Sequence, residues 1–449
     1  MKFMSIMAAL LGVAMAAPSL NARTRGSDIT VVHPGTVKDM KVTKENTLNG
    51  TYHDAKTKIV AATSISERAG QSLPFQFVNN FSGKAVNAYV VGLDSQNRVT
   101  FVRQDGSVVY PSSGGSGVPV PITANIKIAL PAQGQRLSMT LPFPLSSARI
   151  YFSEGELQFA MVSIGNGRDG LVQPSVTNLS DPSAALNWGF VELTFTSDGV
   201  IYANVSYVDF VGMILSMSLT TTDGSPTQVT KALAAGSMAN ICNEIRTQGS
   251  IDGRPWGKMC VADASGKAIR VLSPGDYTVI DSQGFSTYWD SYVNQVYAKY
   301  STQPLTINTQ GSAGNVNCRA SGNSMTCDGD NLAFNKPTAG DIWGCNSGPF
   351  SNTGSDLHKA ILARLCAAFV RSTLLLSGGN VQPHLSSASY YTVNPTNHYS
   401  RLVHKYEVDG KGYAFPYDDV NPDGNENASG TVSSGHPGTL TVYVGAPPA

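Results

Sequence analysis

From about residue 73 the chain divides its apolar residues into runs too short for helices. LPFQFVNNFSG, AVNAYVVGL, VTFVRQ, IKIAL, LSMTL, RIYFS and LQFAMV follow one another, each rich in β-branched or aromatic residues and each set off by turn residues. A buried strand needs only about 4–8 residues whereas a helix needs at least 10–12, so this rhythm commits the region to a β-sandwich or barrel. The 449 residues leave room for about two or three domains, and the rhythm does not last. TQVTKALAAGSMANICNEIRTQ, FSTYWDSYVNQVYAKY and SDLHKAILARLCAAFVRSTLLL have helical spacing. In the last of these, Leu357, Ile361, Leu365 and Phe369 line one stripe behind a Ser355 cap. Short strands such as IRVLS lie between them. After about residue 397 the text reads as β again: YSRLVHKYEV, KGYAFPYDDV and GTLTVYVGAP. The expected organisation is mainly β: a barrel or sandwich over 68–218 and 398–449, interrupted by a mixed α/β unit over 219–397, with a groove between them. Such a junction is a common place for a ligand.

The cysteines support the partition. Cys242, Cys260, Cys318, Cys327, Cys345 and Cys366 all fall in the mixed unit. An even number suits disulfides in an oxidising compartment, and a Cys318–Cys327 bridge would close the hairpin VNCRASGNSMTCDG. The remaining connectivity is open, and three bonds internal to the unit are expected. Zinc is the rival reading, but no pair has the C-x2-C spacing of a zinc site.

The N-terminus points to export. Lys2 precedes an apolar run from Phe3 to Met15 and the small residues AMAAP, the layout of a signal peptide over 1–16. Residues 17–67 then read as an extension or propeptide, with one strand near Ile29. A membrane anchor would need about 20 apolar residues, which the run does not reach. Sequons at Asn49, Asn80, Asn178, Asn204 and Asn427 fit a secreted, extracellular or cell-wall-associated glycoprotein. Only 14% of residues are charged, and 31 basic residues balance 31 acidic ones. Such a chain has no electrostatic reason to bind nucleic acid or an anionic membrane, and a monomer acting on a neutral partner is expected.

Within this polar, weakly charged text one hairpin stands out, WGFVELTFTSDGVIYANVSYVDFVG. Each arm carries one carboxylate, Glu192 and Asp209, and a charge on a half-buried strand is costly unless paired, hydrated or used. A two-residue turn at Asp198 and Gly199 would set Glu192 opposite Val205 and Asp209 opposite Trp188. Strand alternation then places both acids on the open face, with Val191, Leu193 and Phe195 in the core. Four residues along the ladder amount to roughly 13 Å at about 3.4 Å each. Inverting glycosidases separate their two carboxyl groups by about 6.5–9.5 Å and retaining ones by about 5–5.5 Å, so the spacing favours inversion. Apolar Phe190 beside Glu192 would favour its protonated form, as a general acid requires.

The hairpin resembles the active-site hairpin of glycoside hydrolase family 64, the endo-1,3-β-glucanases with a thaumatin-like barrel. RPWGKMCVADASGKAIRVLSPGDY, DIWGCNSGPF and TNHYSRLVHKYEVDGKGYAFPYDDV resemble later blocks of that family in the same order. The likeness extends over about residues 70–446. It implies inverting cleavage of 1,3-β-glucan into short laminari-oligosaccharides, with Glu192 as general acid and Asp209 as the base that activates water. It also implies sugar contacts at Thr194 and Thr196, although the family can carry Asn where Thr196 stands. No metal or organic cofactor is implied. Trp188, Trp343, Tyr390 and Tyr391 stand in strand-end or loop text, where an aromatic ring can stack on a sugar. His398 and His404, six residues apart, suit hydrogen bonding rather than a metal. The competing reading is a non-catalytic thaumatin-like wall protein that binds glucan.

Overall fold

A computed structural model describes residues 28–48, 71–422 and 428–448. The signal-peptide reading of 1–16, the sequons at Asn49 and Asn427, and most of the 17–67 extension lie outside the described residues. The strands there form five sheets. The largest has eight strands and is centred on Leu145–Glu154, which pairs antiparallel with Val86–Leu93 on one side and Trp188–Phe195 on the other. A five-stranded sheet places the C-terminal strand Pro437–Val444 between Leu215–Thr221 and Leu73–Asn79, parallel to the latter. Alternation is visible in Arg136–Leu141, at the edge of that sheet, where every second side chain is buried.

The mixed unit is built on helices Ser237–Asp252, Asp290–Thr302 and Asp356–Val370. Ser355 caps the third, its hydroxyl accepting from the His358 N–H at 3.1 Å. Cys318–Cys327 closes its hairpin, while Cys242–Cys260 and Cys345–Cys366 tie helices to neighbouring segments. No cysteine is left free. The unit does not carry a separate core. One continuous buried cluster includes Phe77, Phe152 and Trp188 from the β side and Trp256, Trp289 and Phe369 from the α/β side.

The text after residue 397 departs from the β reading. HYSRLVHKY is an α-helix, His398–Tyr406, with the Asn397 side chain accepting from the Ser400 N–H. Its aromatic and β-branched residues suggest strand, but Tyr399, Leu402 and Val403 share one buried helical face, and burial there overrides local propensity. KGYAFPYDDV is turn and loop, touching the sheets through an isolated bridge between Ser206 and Tyr413. GTLTVYV forms the expected strand.

Residues 28–48 are laid into the fold. Thr30–Val31 adds a parallel strand beside Val261 and Ala262, and Thr47–Leu48 pairs antiparallel with Leu171 and Val172. The segment therefore crosses from one unit to the other.

Candidate active site

Glu192 lies within the strand Trp188–Phe195, and Asp209 follows the strand Ile201–Val205. Their hairpin differs in register from the expectation. Glu192 stands opposite Asn204, Phe195 opposite Ile201, and the Thr196 N–H donates to the Val200 carbonyl at 2.9 Å. The loop is therefore the three residues Ser197, Asp198 and Gly199, with Gly199 at φ +87°, the bulged hairpin form that favours glycine there. With this register an unbroken ladder would turn Asp209 to the core face.

Asp209 is brought to the site by a bend instead. The strand ends at Val205, and the chain leaves the eight-stranded sheet so that Phe210–Val211 can pair with Leu272 and Val271 in another sheet. The Ser273 N–H donates to the Asp209 carbonyl at 2.8 Å and fixes the bend to the start of helix Pro274–Ile280. Gly212 makes the bend possible, because a Cβ there would lie 2.2 Å from the Trp188 carbonyl oxygen. The four-rung spacing drawn from a flat ladder does not apply.

Both carboxylates border one cavity of about 570 Å³. Its floor is the hairpin with Ala148 and Arg149. One side is Gln173 to Thr177 together with residues 43–48, and the other is formed by helix Pro274–Ile280 and residues 340–347. Glu192 is 6% exposed. The Arg149 guanidinium, directly across the ladder, donates to its Oε1 at 3.1 and 3.3 Å, and the Asn204 amide donates to its Oε2 at 3.3 Å. Arg149 in turn lies 4.3 Å over the Phe190 ring. The apolar neighbour expected for Glu192 is present, and with it a guanidinium that the sequence reading did not include. Two further acids, Asp276 and Glu45, also border the cavity. Burial pushes the Tyr399 hydroxyl well above its usual range, and the charges of Asp276 and Asp209 add to the shift.

Trp188 and Trp343 border the cavity but do not present open faces. Trp188 is 3% exposed, with Phe210 at 4.6 Å and Tyr151 at 5.8 Å from its ring. Trp343 is buried among Trp289, Tyr288 and Trp256. Both are walls rather than stacking platforms, because burying a large apolar ring fully is worth more to the fold than leaving it to a ligand. Tyr390 and Tyr391 are elsewhere. Arg371 lies 4.4 Å over the Tyr390 ring, and Tyr391 stacks on His404. Thr194 and Thr196 share the Glu192 side of the strand but do not border the cavity. Thr196 locks the turn, its hydroxyl bonding Asp198 and accepting from the Val200 N–H. The exposed aromatic on that side is Tyr202, paired with Thr194 and missed by the sequence reading.

Three sequon amides are engaged within the fold, the Asn80 amide donating to the Ala446 carbonyl at 3.1 Å. Asn178 is 5% exposed and donates to the Asp39 carbonyl at 2.8 Å, and Asn204 holds Glu192. A glycan on any of these amides would replace one of its two N–H donors and compete with these bonds. Among the described residues no group of three or more His, Cys, Asp or Glu is placed to hold a metal ion. His404 and His398 have structural surroundings. His404 lies 2.8 Å from both Glu407 and Asp418, and His398 packs edge-on against Trp256.

Comparison with known proteins decides the family. Residues 71–444 match the β-1,3-glucanases of glycoside hydrolase family 64. The chain belongs to that family. The glucan endo-1,3-β-glucosidase of Cellulosimicrobium cellulans is 29% identical to it over 405 residues, covering 85% of this chain and 69% of that protein. A protein of the same name from an Arthrobacter species is 28% identical with the same coverage. Among solved structures, a laminaripentaose-producing β-1,3-glucanase in complex with laminaritetraose superposes with a TM-score of 0.73 and 27% identity, over 84% of this chain and 99% of that one. A family 64 β-1,3-glucanase domain from Clostridium beijerinckii shares the fold, with a TM-score of 0.64 and 22% identity over 83% of this chain and 98% of that one. The family 64 match begins at residue 71, downstream of residues 28–48.

Proposed function

We propose that this chain is a secreted endo-1,3-β-glucanase that cleaves its glucan with inversion, Glu192 serving as general acid and Asp209 as general base. The observation that carries the reading is that these two carboxylates, from opposite sides of a bend, border one cavity. The eight-stranded sheet and the five-stranded sheet that holds Pro437–Val444 are read as the family's thaumatin-like barrel. Three disulfides accord with an oxidising compartment, and among the described residues no helix is long and apolar enough to cross a membrane.

In this mechanism the glycosidic oxygen takes the Glu192 proton as its bond to the anomeric carbon breaks. A water on the opposite face, losing its proton to Asp209, forms the new bond. Arg149 orients Glu192 until substrate arrives, and the contact must open for the acid to reach the leaving oxygen. Because a paired guanidinium favours a charged carboxylate, the same contact is the one observation in favour of exchanged roles, with Glu192 as base and Asp209 as acid.

Incubation with laminarin is expected to release new reducing ends, and proton NMR before mutarotation should find the α-anomer first. Binding without cleavage would favour the wall-protein reading, and a β-anomer formed first would remove the inverting mechanism.

A further inference from the structure

One wall of the cavity comes from outside the part of the chain that matches the family. The match begins at residue 71, yet Thr43, Lys44, Glu45, Asn46, Thr47 and Leu48 border the same cavity as Glu192 and Asp209. These residues end a strap, residues 28–48, that is fastened along its length. Near its start the Val32 N–H donates to the Ala262 carbonyl, and the Val32 side chain is 1% exposed. In its middle, His33 and Gly35 donate to the Leu179 and Ser180 carbonyls, Asp39 accepts from Asn178, and Met40 packs with Ala160, Val162 and Val172. Close to the cavity the Asn46 amide donates to the Lys41 and Gln173 carbonyls at 2.7 and 3.4 Å, while the Gln173 N–H donates to the Asn46 carbonyl at 2.8 Å.

A plug that is to be removed needs weak attachment. This segment instead contributes edge strands to two different sheets and buries apolar side chains, so displacing it breaks both pairings and exposes those side chains. It is built into the fold as a wall. Against that wall Asn46, Thr47 and Leu48 are buried anchors, whereas Lys44 and Glu45 are exposed and Thr43 is half-buried. An ammonium carries three donors and a carboxylate two acceptor oxygens. Such a pair can bond the hydroxyls of a neutral sugar, and the charge-assisted bonds formed are stronger than neutral ones.

We propose that Lys44 and Glu45 form a sugar-binding wall that fixes how many glucose units the groove engages and hence the lengths of the products. The inference rests on the glucanase reading above. A chain of 1,3-β-glucan lying across Glu192 and Asp209 continues along the strap, so the strap contacts sugars away from the bond being cut. Binding energy from such remote units appears in substrate affinity and register more than in the chemical step when it is equal in ground and transition states.

The test is the double variant Lys44→Ala/Glu45→Ala in the full chain, with laminarihexaose and laminarin as substrates. The KM for laminarihexaose should rise about five- to tenfold while kcat changes by less than about twofold, and the distribution of oligosaccharide lengths released from laminarin should shift. Glu45→Gln, which keeps an acceptor in place, should fall between the double variant and the parent. Thermal unfolding like that of the parent is expected, since both side chains are exposed; if the double variant proves unstable, the KM of Glu45→Gln alone decides. An unchanged KM and product profile would overturn the inference, and so would faster cleavage of laminarin, which would make the strap an obstruction. If the parent itself cleaves neither substrate, the glucanase reading fails; an active parent with unresponsive variants removes the strap proposal alone.

Discussion

Glu192 is held by a guanidinium across the ladder and an amide beside it, and Asp209 by the backbone of a bend. Glu192→Gln and Asp209→Asn keep shape while removing proton exchange, so each should lower kcat on laminarin by about 10²–10⁴-fold. The two roles can be told apart with a laminari-oligosaccharide carrying a dinitrophenolate leaving group, which departs without protonation. Glu192→Gln should recover most of its rate on that substrate, and Asp209→Asn should not. The reverse pattern would exchange the acid and base. The two acids were legible because a lone carboxylate in strand text demands a reason. The same argument applied to Arg149, in RIYFS, would have found the partner of Glu192, since a charge flanked by Ala148 and Ile150 is equally out of place. The aromatic residues were less legible. Sequence gives the type of a ring but not which of its faces is already covered, and Trp188, Trp343 and Tyr391 are covered by other rings.

At the scale of elements, helix His398–Tyr406 is joined to the loop that follows it through a buried ionic cluster. Burial pulls the His404 imidazole toward neutrality, but Asp418 and Glu407 outweigh it and raise its pKa to about 10. Asp418 also pairs with Arg371 at 3.0 Å, and the charges of His404 and Arg371 hold its carboxyl below the usual range despite burial. For His404 the folded value lies above the unfolded one of about 6.5. Its stabilisation is therefore complete below about pH 6.5 and is lost as pH rises toward 10. The melting temperature should fall over that interval, and His404→Gln should flatten the fall while lowering stability at neutral pH by about 3 kcal/mol, the cost of uncovering a buried charge. A parent whose Tm stayed level from neutrality to pH 10 would contradict this role. The helix itself was misread because its residue types favour strands. The helix behind Ser355 was read correctly because its stripe is long, whereas nine residues ending in VHKY offer barely two turns of periodicity.

At the scale of the whole molecule the β-rich and mixed parts share one continuous interior. Arg270, on a strand of the mixed unit, is 1% exposed and donates to the carbonyls of Ala184 and Leu186 at 2.7 Å, beneath Trp188. Burial lowers its pKa to about 10, with Asp181 opposing the shift. The two units should therefore unfold together. Tryptophan fluorescence, which reports Trp188 on one side and Trp256, Trp289 and Trp343 on the other, is expected to change in a single transition coincident with far-ultraviolet circular dichroism. Two resolved transitions would show that the cores separate. The cysteines are confined to one third of the sequence, but composition cannot reveal that apolar residues from that third and from the β-rich text meet in one interior, because that depends on the tertiary fold.

The parallel pairing of Leu73–Asn79 with Pro437–Val444 also sets a timetable for biogenesis. The early strand leaves the ribosome with its partner still unmade, and at about 5–20 residues per second it waits on the order of twenty seconds to a minute. The partner is central, with Leu215–Thr221 on its far side, so this sheet is completed last. Until then the chain presents exposed strand edges and an open interior, a state that a translocation channel can thread and a chaperone can hold.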